Sequence, residues 1–125
     1  MDFQKIIDYA KGCLVGKYAD FSGRARRAEY WSFTLCVSAV SLVFNLLYNL
    51  TGSNIFTALS GLVSLAVLVP GLAVGVRRLH DIGKKGTWYL IGLIPIVGWI
   101  ILIVWFCKEG EPGANQFGPD PKLYD

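Results

Sequence analysis

The chain has 125 residues, of which 54% are hydrophobic and only 17% are charged, and its formal net charge is +3. About a quarter of the residues of a typical globular domain are charged, so this composition is that of a membrane protein and excludes an ordinary soluble domain. The three cysteines have no paired spacing and there is a single histidine, so neither a disulfide framework nor a metal site is expected.

The first predicted element is an amphipathic helix over residues 3–15. Its apolar residues recur at helical spacing, and they are Phe3, Ile6, Ile7, Ala10 and Leu14. Such a helix lies at the headgroup boundary of a membrane or packs on the ends of membrane helices, and the pattern leaves both arrangements open. No apolar run precedes Trp31, so this segment is not expected to be a cleaved signal peptide.

Three apolar segments without charged residues or histidine follow, at residues 31–50, 55–76 and 88–107. Each is about as long as the roughly 20 residues that a helix needs to cross a bilayer core. None has a polar face wide enough to meet water, which argues against a soluble helical domain. The sequence therefore predicts an all-α membrane protein, with three transmembrane helices preceded by the amphipathic interfacial helix, in a single domain over residues 1–125.

The segments that connect and follow the spans differ in character. The link at residues 51–54 has no charge and contains Gly52, so the first two spans are predicted to form a tight antiparallel hairpin. Pro70 and Gly71 interrupt the second span and predict a kink or a break, with a freed carbonyl near Ala66 that needs a polar partner or local rewinding. Residues 108–125 are rich in Pro and Gly, and they are predicted to form an irregular tail.

Basic residues are distributed unevenly around the spans. Six precede the first span and four lie between the second and third, whereas the first link has none and the tail has two. In chain order they are Lys5, Lys11, Lys17, Arg24, Arg26, Arg27, Arg77, Arg78, Lys84, Lys85, Lys108 and Lys122. Because cytoplasmic segments carry an excess of Lys and Arg, we expect the N-terminus in the cytoplasm and, after three spans, the C-terminus outside.

Two basic motifs, GRARRAEY at residues 23–30 and RRLHD at residues 77–81, are expected at the same cytoplasmic face. Arginine binds phosphate oxygens in a forked geometry, so the motifs form a candidate site for anionic lipid headgroups or another phosphorylated ligand. The alternative is that the arginines only anchor the helix ends. The candidate binding residues are Arg24, Arg26, Arg27, Arg77 and Arg78, and the residues expected to orient them are Glu29, His80 and Asp81.

The two acids of these motifs have two sets of candidate partners. Within its own helix, Glu29 lies three residues from Arg26, and Asp81 lies four residues from Arg77, so each pair shares a helix face. Pairing with the arginines of the other motif would instead lock the two helices together. The sequence does not distinguish these arrangements.

Two other classes of function compete with a binding role. His80 and Asp81 suggest an acid–base pair, but adjacent residues of a helix point in different directions and no Ser or Cys nucleophile is tied to them, so no enzyme activity and no catalytic residue are predicted. An oligomeric transport element built around helices broken at Pro70 and Pro95 is the main alternative. The polar residues inside the spans, chiefly Asn45 and Asn49, are not ionisable, which gives an ion pathway little support in one protomer.

The motifs also carry a resemblance to a known family. The residues concerned are 18–21, GRARRAEYW at 23–31, RRLHD at 77–81 with Gly83, Trp88, IPIVG at 94–98 and GANQFGPDP at 113–121. Over nearly its whole length the chain resembles the small bacterial inner-membrane proteins of domain of unknown function 805. The usual aromatic pair of that family at the start of the third span is Trp88 and Tyr89 here. The resemblance implies a multi-helix protein of the bacterial inner membrane, and it implies no agreed activity, substrate or cofactor.

These observations predict a non-enzymatic integral inner-membrane protein, an accessory or envelope-stress factor. It is expected to bind anionic lipid headgroups or a partner protein through its cytoplasmic arginines. Membrane lipids are the expected partners, with a second copy of the chain or another membrane protein as alternatives. Neither nucleic acid nor a cofactor is expected.

Overall fold

The computed structural model describes residues 3–121, and the regular elements of this part are all helices. They are α1 (Phe3–Leu14), α2 (Arg27–Thr51), α3 (Asn54–Asp81), a 3-10 helix (Gly86–Leu93) and α4 (Val97–Cys107). The predicted all-α class is confirmed. Residues 1–2 and 122–125 of the predicted domain, which include the end of its tail, lie outside the described residues.

Helices α2 and α3 form a hairpin of two long apolar helices. They have 25 and 28 residues, about 37 Å and 42 Å at 1.5 Å per residue, so each is long enough for a bilayer core of about 30 Å. Helix α2 ends at Gly52, whose φ of 68° suits glycine and whose N–H donates to the Tyr48 carbonyl oxygen at 2.7 Å. Ser53 then caps α3 by accepting the N–H of Ile55. So short a link returns the chain antiparallel to α2.

The third apolar segment does not form the predicted transmembrane helix. Residues 88–107 are divided between the 3-10 helix and α4, with residues 94–96 between them. Helix α4 has 11 residues and is about 16 Å long, roughly half the thickness of a bilayer core. In the part of the chain that the structure describes, two helices, α2 and α3, are long and apolar enough to cross a membrane.

The reversal between the 3-10 helix and α4 is centred on Pro95 and Ile96. Pro95 has no N–H and cannot continue a helical hydrogen-bond pattern. Ile96 has φ 68° and ψ −66°, and the Val97 N–H donates to the Pro95 carbonyl oxygen at 2.8 Å. This is a γ-turn with positive φ, a strained conformation that is rare for a β-branched residue.

The 3-10 helix and α4 run antiparallel as one short hairpin, residues 86–107. At its open end the rings of Trp88 and Trp105 meet edge to face, with centroids 6.0 Å apart. Nearer the turn, the indole N–H of Trp99 donates to the Gly92 carbonyl oxygen at 2.8 Å. The short hairpin therefore begins and ends at the same level, and the third apolar segment returns to the side from which it started.

The tail lies at the same end of the helices as the basic motifs. The Arg24 guanidinium donates to the carbonyl oxygens of Glu111 and Gly113, and the Asn115 side-chain amide donates to the His80 carbonyl oxygen at 2.9 Å. The expectation that the helices separate the tail from the N-terminal segment is therefore wrong. Its cause is the reversal at Pro95, because a proline signals a break in a helix but not the direction in which the chain then continues.

Helix α3 continues through Pro70, so the break that this residue could have caused does not occur. Proline leaves the carbonyl four residues earlier, that of Ala66, without its helical N–H donor. The Tyr18 hydroxyl donates to this carbonyl oxygen at 2.7 Å. The linker between α1 and α2 thus supplies the polar partner that the sequence required.

The buried side chains are concentrated at the end that carries the basic motifs. One apolar cluster contains Cys13, Ala25, Phe33 and Val74, and a second contains Leu79, Leu102 and Phe106. Helix α1 contributes its buried Ala10 and Cys13 and keeps Phe3 and Leu14 exposed. Residues 38–66, the far half of the α2–α3 hairpin, contain no buried side chain. Such an apolar exposed surface suits contact with lipid chains.

The γ-turn predicts an unusual tolerance for glycine at position 96. Ile94 has an ordinary φ of −85° and Ile96 does not, while both side chains are exposed. Ile96→Gly should therefore be about 1–2 kcal/mol less destabilising than Ile94→Gly, because only the former relieves backbone strain. Thermal unfolding of the two variants in detergent measures the difference. Equal melting temperatures would contradict the turn geometry.

Candidate functional site

The two basic motifs meet in the structure. The Ala25 N–H donates to the Arg77 carbonyl oxygen at 3.0 Å, which fixes the start of α2 beside the end of α3. Two ion pairs cross between the motifs: Arg24 Nε lies 3.0 Å from Asp81 Oδ1, and Arg77 Nη1 pairs with Glu29 Oε2. Of the two pairings that the sequence left open, the one that locks the helices together forms.

Five charged side chains make up the buried charge cluster, which consists of Arg24, Arg77, Arg78, Glu29 and Asp81. None of these side chains is more than 6% exposed. Charged groups are almost never so buried unless they are paired, since an unpaired buried ion loses its hydration without compensation. These five side chains can therefore be buried only because ion pairs and hydrogen bonds replace their hydration.

Arg77 ties the N-terminal segment to the cluster. Besides pairing with Glu29, its guanidinium donates to the Asp20 carbonyl oxygen at 3.0 Å and lies 3.9 Å from Cys13 Sγ. The Cys13 thiol lies 3.7 Å from Glu29 Oε2. Burial, and then the charge of that carboxylate, raises the pKa of the thiol to about 11. Cys13 is thus a neutral space-filling group and a poor nucleophile near pH 7.

Arg78 holds the returning end of the short hairpin. Its Nε donates to the Phe106 carbonyl oxygen at 3.1 Å, and its Nη2 donates to that of Lys108. These carbonyls lie at the C-terminus of α4, where a helix leaves its last acceptors without intrahelical donors. Nη1 pairs with Asp81 Oδ2 at 2.7 Å and also reaches the Ala25 carbonyl oxygen at 3.4 Å. One guanidinium thereby joins α3, the end of α4 and the segment that leads into α2.

Arg24 holds the tail in the same way. Its guanidinium donates to the carbonyl oxygens of Glu111 and Gly113 while it pairs with Asp81. The Glu111 N–H donates back to the Asp81 carbonyl oxygen at 2.8 Å. A Cβ on Gly110 would overlap the Asp81 carboxylate, so the tail approaches this closely only with glycine there.

His80 also faces the tail rather than an arginine. Its Nδ1 lies 2.8 Å from the Gly23 carbonyl oxygen, and because a carbonyl only accepts, Nδ1 carries the proton. The imidazole stacks on the Phe117 ring with centroids 4.0 Å apart. Asp81 is occupied by arginines, so the two residues considered for an acid–base pair have different partners.

Arg26 and Arg27 lie at the surface of this region. Arg26 is half-buried and Arg27 is exposed, with Nη1 of Arg27 donating to the Cys107 carbonyl oxygen at 3.2 Å. The structure thus brings the two predicted motifs together, but it buries the other three arginines of the predicted set, Arg24, Arg77 and Arg78. A single exposed surface of five arginines does not form.

Aromatic residues outside the predicted set complete this end of the molecule. The Trp31 indole N–H donates to the Phe106 carbonyl oxygen at 3.3 Å. The Lys84 ammonium lies 4.5 Å from the ring centroid of Trp105 and 5.9 Å from that of Trp88, which are cation–π distances. Tryptophan favours the interface between lipid and water. In the sequence, Trp88 and Trp105 lie near the two ends of one apolar segment. They can meet at one end of the molecule only if that segment is a hairpin.

This arrangement joins separate segments of the chain. The buried guanidinium groups are engaged by carboxylates and backbone carbonyls, and the buried thiol is neutral at physiological pH. Within residues 3–121, no group of three or more His, Cys, Asp or Glu side chains is placed to hold a metal ion.

Two long apolar helices, interfacial tryptophans and a charge cluster sealed at one helix end define a small helical integral membrane protein. The chain belongs to the family described as protein of unknown function (DUF805), whose family model matches residues 18–119. It is 46% identical over 110 residues to inner membrane protein YhaI of Escherichia coli (strain K12), covering 88% of this chain and 92% of that protein.

Two further relatives come from the same organism. Inner membrane protein YhaH is 45% identical over 116 residues, which cover 88% of this chain and 93% of that protein. The uncharacterized protein YiiR is 35% identical over 83 residues, which cover 66% of this chain and 53% of that protein. No solved structure matches the chain. The relatives confirm the predicted family and its location in the inner membrane.

The burial of Arg78 predicts that it is required for stability. Arg78→Ala should lower the free energy of unfolding by about 3–5 kcal/mol, because it leaves the α4 carbonyls without donors and Asp81 with one fewer cation. The matched control is Arg27→Ala, at an exposed arginine, with an expected change within about 0.5 kcal/mol. Thermal or denaturant unfolding in detergent distinguishes them. A similar loss of unfolding free energy in both variants would contradict the role of Arg78 in holding α3 and the end of α4 together.

Proposed function

We propose that this protein is a non-enzymatic accessory protein of the bacterial inner membrane that binds anionic lipid headgroups at one end of its helices. In this proposal the buried charge cluster is a structural clamp, and the exposed basic residues around it contact the headgroups. The supporting observation is a contrast in exposure: Arg77 and Arg78 are 1% and 0% exposed, whereas Arg27 is exposed.

The surroundings of Arg27 fit this role. Arg27 lies one helical turn before Trp31, and it donates to the carbonyl of Cys107, two residues after Trp105. A cation at the level of interfacial indoles is at the depth of lipid phosphates. Each basic residue near an anionic membrane surface contributes about 1 kcal/mol of attraction. The exposed Lys108 adds to this effect.

We further propose that this end of the molecule is cytoplasmic. The Lys and Arg residues of the described chain lie within residues 5–27, 77–85 and 108, and the arginines among them lie at one end of the helices, while the far link at residues 52–53 has no basic residue. Cytoplasmic segments carry such an excess. The short hairpin is then a re-entrant segment, and the tail lies in the cytoplasm with the N-terminal segment. This replaces the expectation of an external C-terminus.

The competing functions have less support. A membrane enzyme that uses His80 and Asp81 would need these side chains free for a substrate, and both are engaged in holding the fold. A transport element would need a polar path through the protein. A partly polar cavity of about 360 Å³, lined by Asn45, Thr57 and Ser60 among others, lies at the far end of the hairpin. In one protomer, the mainly apolar residues 31–43 and 61–76 of α2 and α3 lie between this cavity and the basic end.

The topology can be tested by labelling with a membrane-impermeant maleimide in a background with Cys13, Cys36 and Cys107 replaced by alanine. A probe cysteine in the far link, Ser53→Cys, should react in intact spheroplasts. A probe in the tail, Ala114→Cys, should react only after the membrane is opened, because the tail lies at the basic end. Reaction of Ala114→Cys from outside would overturn the proposed sidedness.

Lipid selectivity is tested by native mass spectrometry of the protein extracted from membranes with equal phosphatidylglycerol and phosphatidylcholine. The wild-type protein should retain phosphatidylglycerol preferentially. Arg27→Ala should lower this preference about fivefold, which corresponds to about 1 kcal/mol, and Arg27→Lys, which keeps the charge, should largely restore it. The same ratio of retained lipids in the wild type and Arg27→Ala would refute headgroup binding at this residue.

A further inference from the structure

We propose that the cleft between the α2–α3 hairpin and the short hairpin is a binding site for one acyl chain of a membrane phospholipid. The inference deepens the proposed function, on which it rests only for the charge of the headgroup. The acyl-chain site itself is inferred from the cavities that remain open between the short hairpin and the α2–α3 hairpin.

Two neighbouring apolar cavities make up this cleft. One, of about 350 Å³, lies between α2 and α3 and is lined by Phe33, Val37 and Leu68 among others. The second, of about 480 Å³, lies under the short hairpin and is lined by Leu93, Leu102 and Ile103 among others. Tyr30, Leu72 and Tyr89 line both cavities. The cleft therefore extends from one pair of elements to the other past these three residues.

The cleft is open because α3 has glycines on this side and because the short hairpin that faces α3 does not extend along its whole length. The Tyr89 ring lies against Gly75, where a Cβ would overlap it, so Tyr89 fills the space next to α3 at that point. One turn deeper, Gly71 meets only the edge of Phe33, at 3.7 Å from the position of a Cβ. The short hairpin turns back at Pro95, roughly halfway across a bilayer core. Beyond that turn the short hairpin no longer covers α3.

A single acyl chain fits this space better than water or another helix. The lining is mainly aliphatic and aromatic, so water inside it would find few hydrogen-bond partners. Cavities of this volume are in the range of small-molecule sites, whereas a helix with its side chains is about 10 Å across. In the hydrocarbon region of a membrane, the slender apolar group that surrounds the protein everywhere is the lipid chain.

The mouth of the cleft at the basic end offers a place for the headgroup of the same lipid. The Tyr30 and Phe106 rings pack together there with centroids 4.4 Å apart. Arg27 lies one turn before Tyr30, and exposed Lys108 lies two residues after Phe106. With Glu109 counted against them, the mouth has an excess of positive charge. A chain in the cleft would thus leave its phosphate next to Arg27.

The test uses the full-length protein in nanodiscs with phosphatidylglycerol that carries a photoactivatable diazirine in the middle of one acyl chain. After irradiation and digestion, mass spectrometry should locate the label on cleft residues such as Leu90, Leu93 and Ile103. Leu72→Trp fills the cleft and should reduce this labelling to background. Leu65→Trp, on the same helix at a side chain that is 69% exposed and lines neither cavity, is the matched control and should leave it unchanged.

The outcomes separate this inference from the proposed function. Labelling scattered along residues 38–66, or labelling of the cleft that Leu72→Trp leaves intact, would overturn the chain site whatever the headgroup preference. If Leu72→Trp does not fold as judged by circular dichroism, Leu93→Trp, at an exposed cleft residue, takes its place. Equal cleft labelling by phosphatidylcholine and phosphatidylglycerol probes would refute anionic selectivity while supporting the acyl-chain site.

Discussion

The structure depends on the burial of three arginines and two carboxylates at one end of a helical hairpin. Removing such groups from water is unfavourable, and only complete pairing offsets the loss. Asp81 and Glu29 supply part of that pairing, and backbone carbonyls of the linker, α4 and the tail supply the remainder. Every segment that contributes a carbonyl is held in place by the same requirement.

This constraint explains why the third apolar segment returns. The carbonyls of Phe106, in the last turn of α4, and of Lys108, just after it, accept from Arg78, so the end of the segment must lie beside the end of α3. A straight helix over residues 88–107 would place these acceptors about 30 Å away, across the bilayer core, and leave Arg78 without them. The γ-turn at Ile96 is the local strain that accompanies this return, and the surrounding packing maintains it.

The same constraint shapes the surface that meets the membrane. Because the buried arginines are used for internal contacts, the proposed function assigns the attraction to anionic headgroups to exposed cations and the depth of those cations to the neighbouring tryptophans. Because the returning segment stops halfway along the long hairpin, the half of that hairpin at the basic end is packed and the far half has no buried side chain. The apolar cleft lies at the boundary between these two halves of the α2–α3 hairpin. The clamp and the cleft are thus two consequences of one fold.

By itself the sequence determined the membrane class, the all-helical fold, the α2–α3 hairpin and the meeting of the two basic motifs, because apolar segment length, Gly52 and charge distribution are local signals. Only the tertiary structure decided that the third segment turns back, that the tail joins the basic end and that three of the arginines are buried. A proline in an apolar segment does not reveal whether the helix continues, as α3 does through Pro70, or whether the chain reverses, as it does at Pro95. Most of the acceptors that bury the arginines are backbone carbonyls, which every residue has and which therefore leave no mark in a sequence.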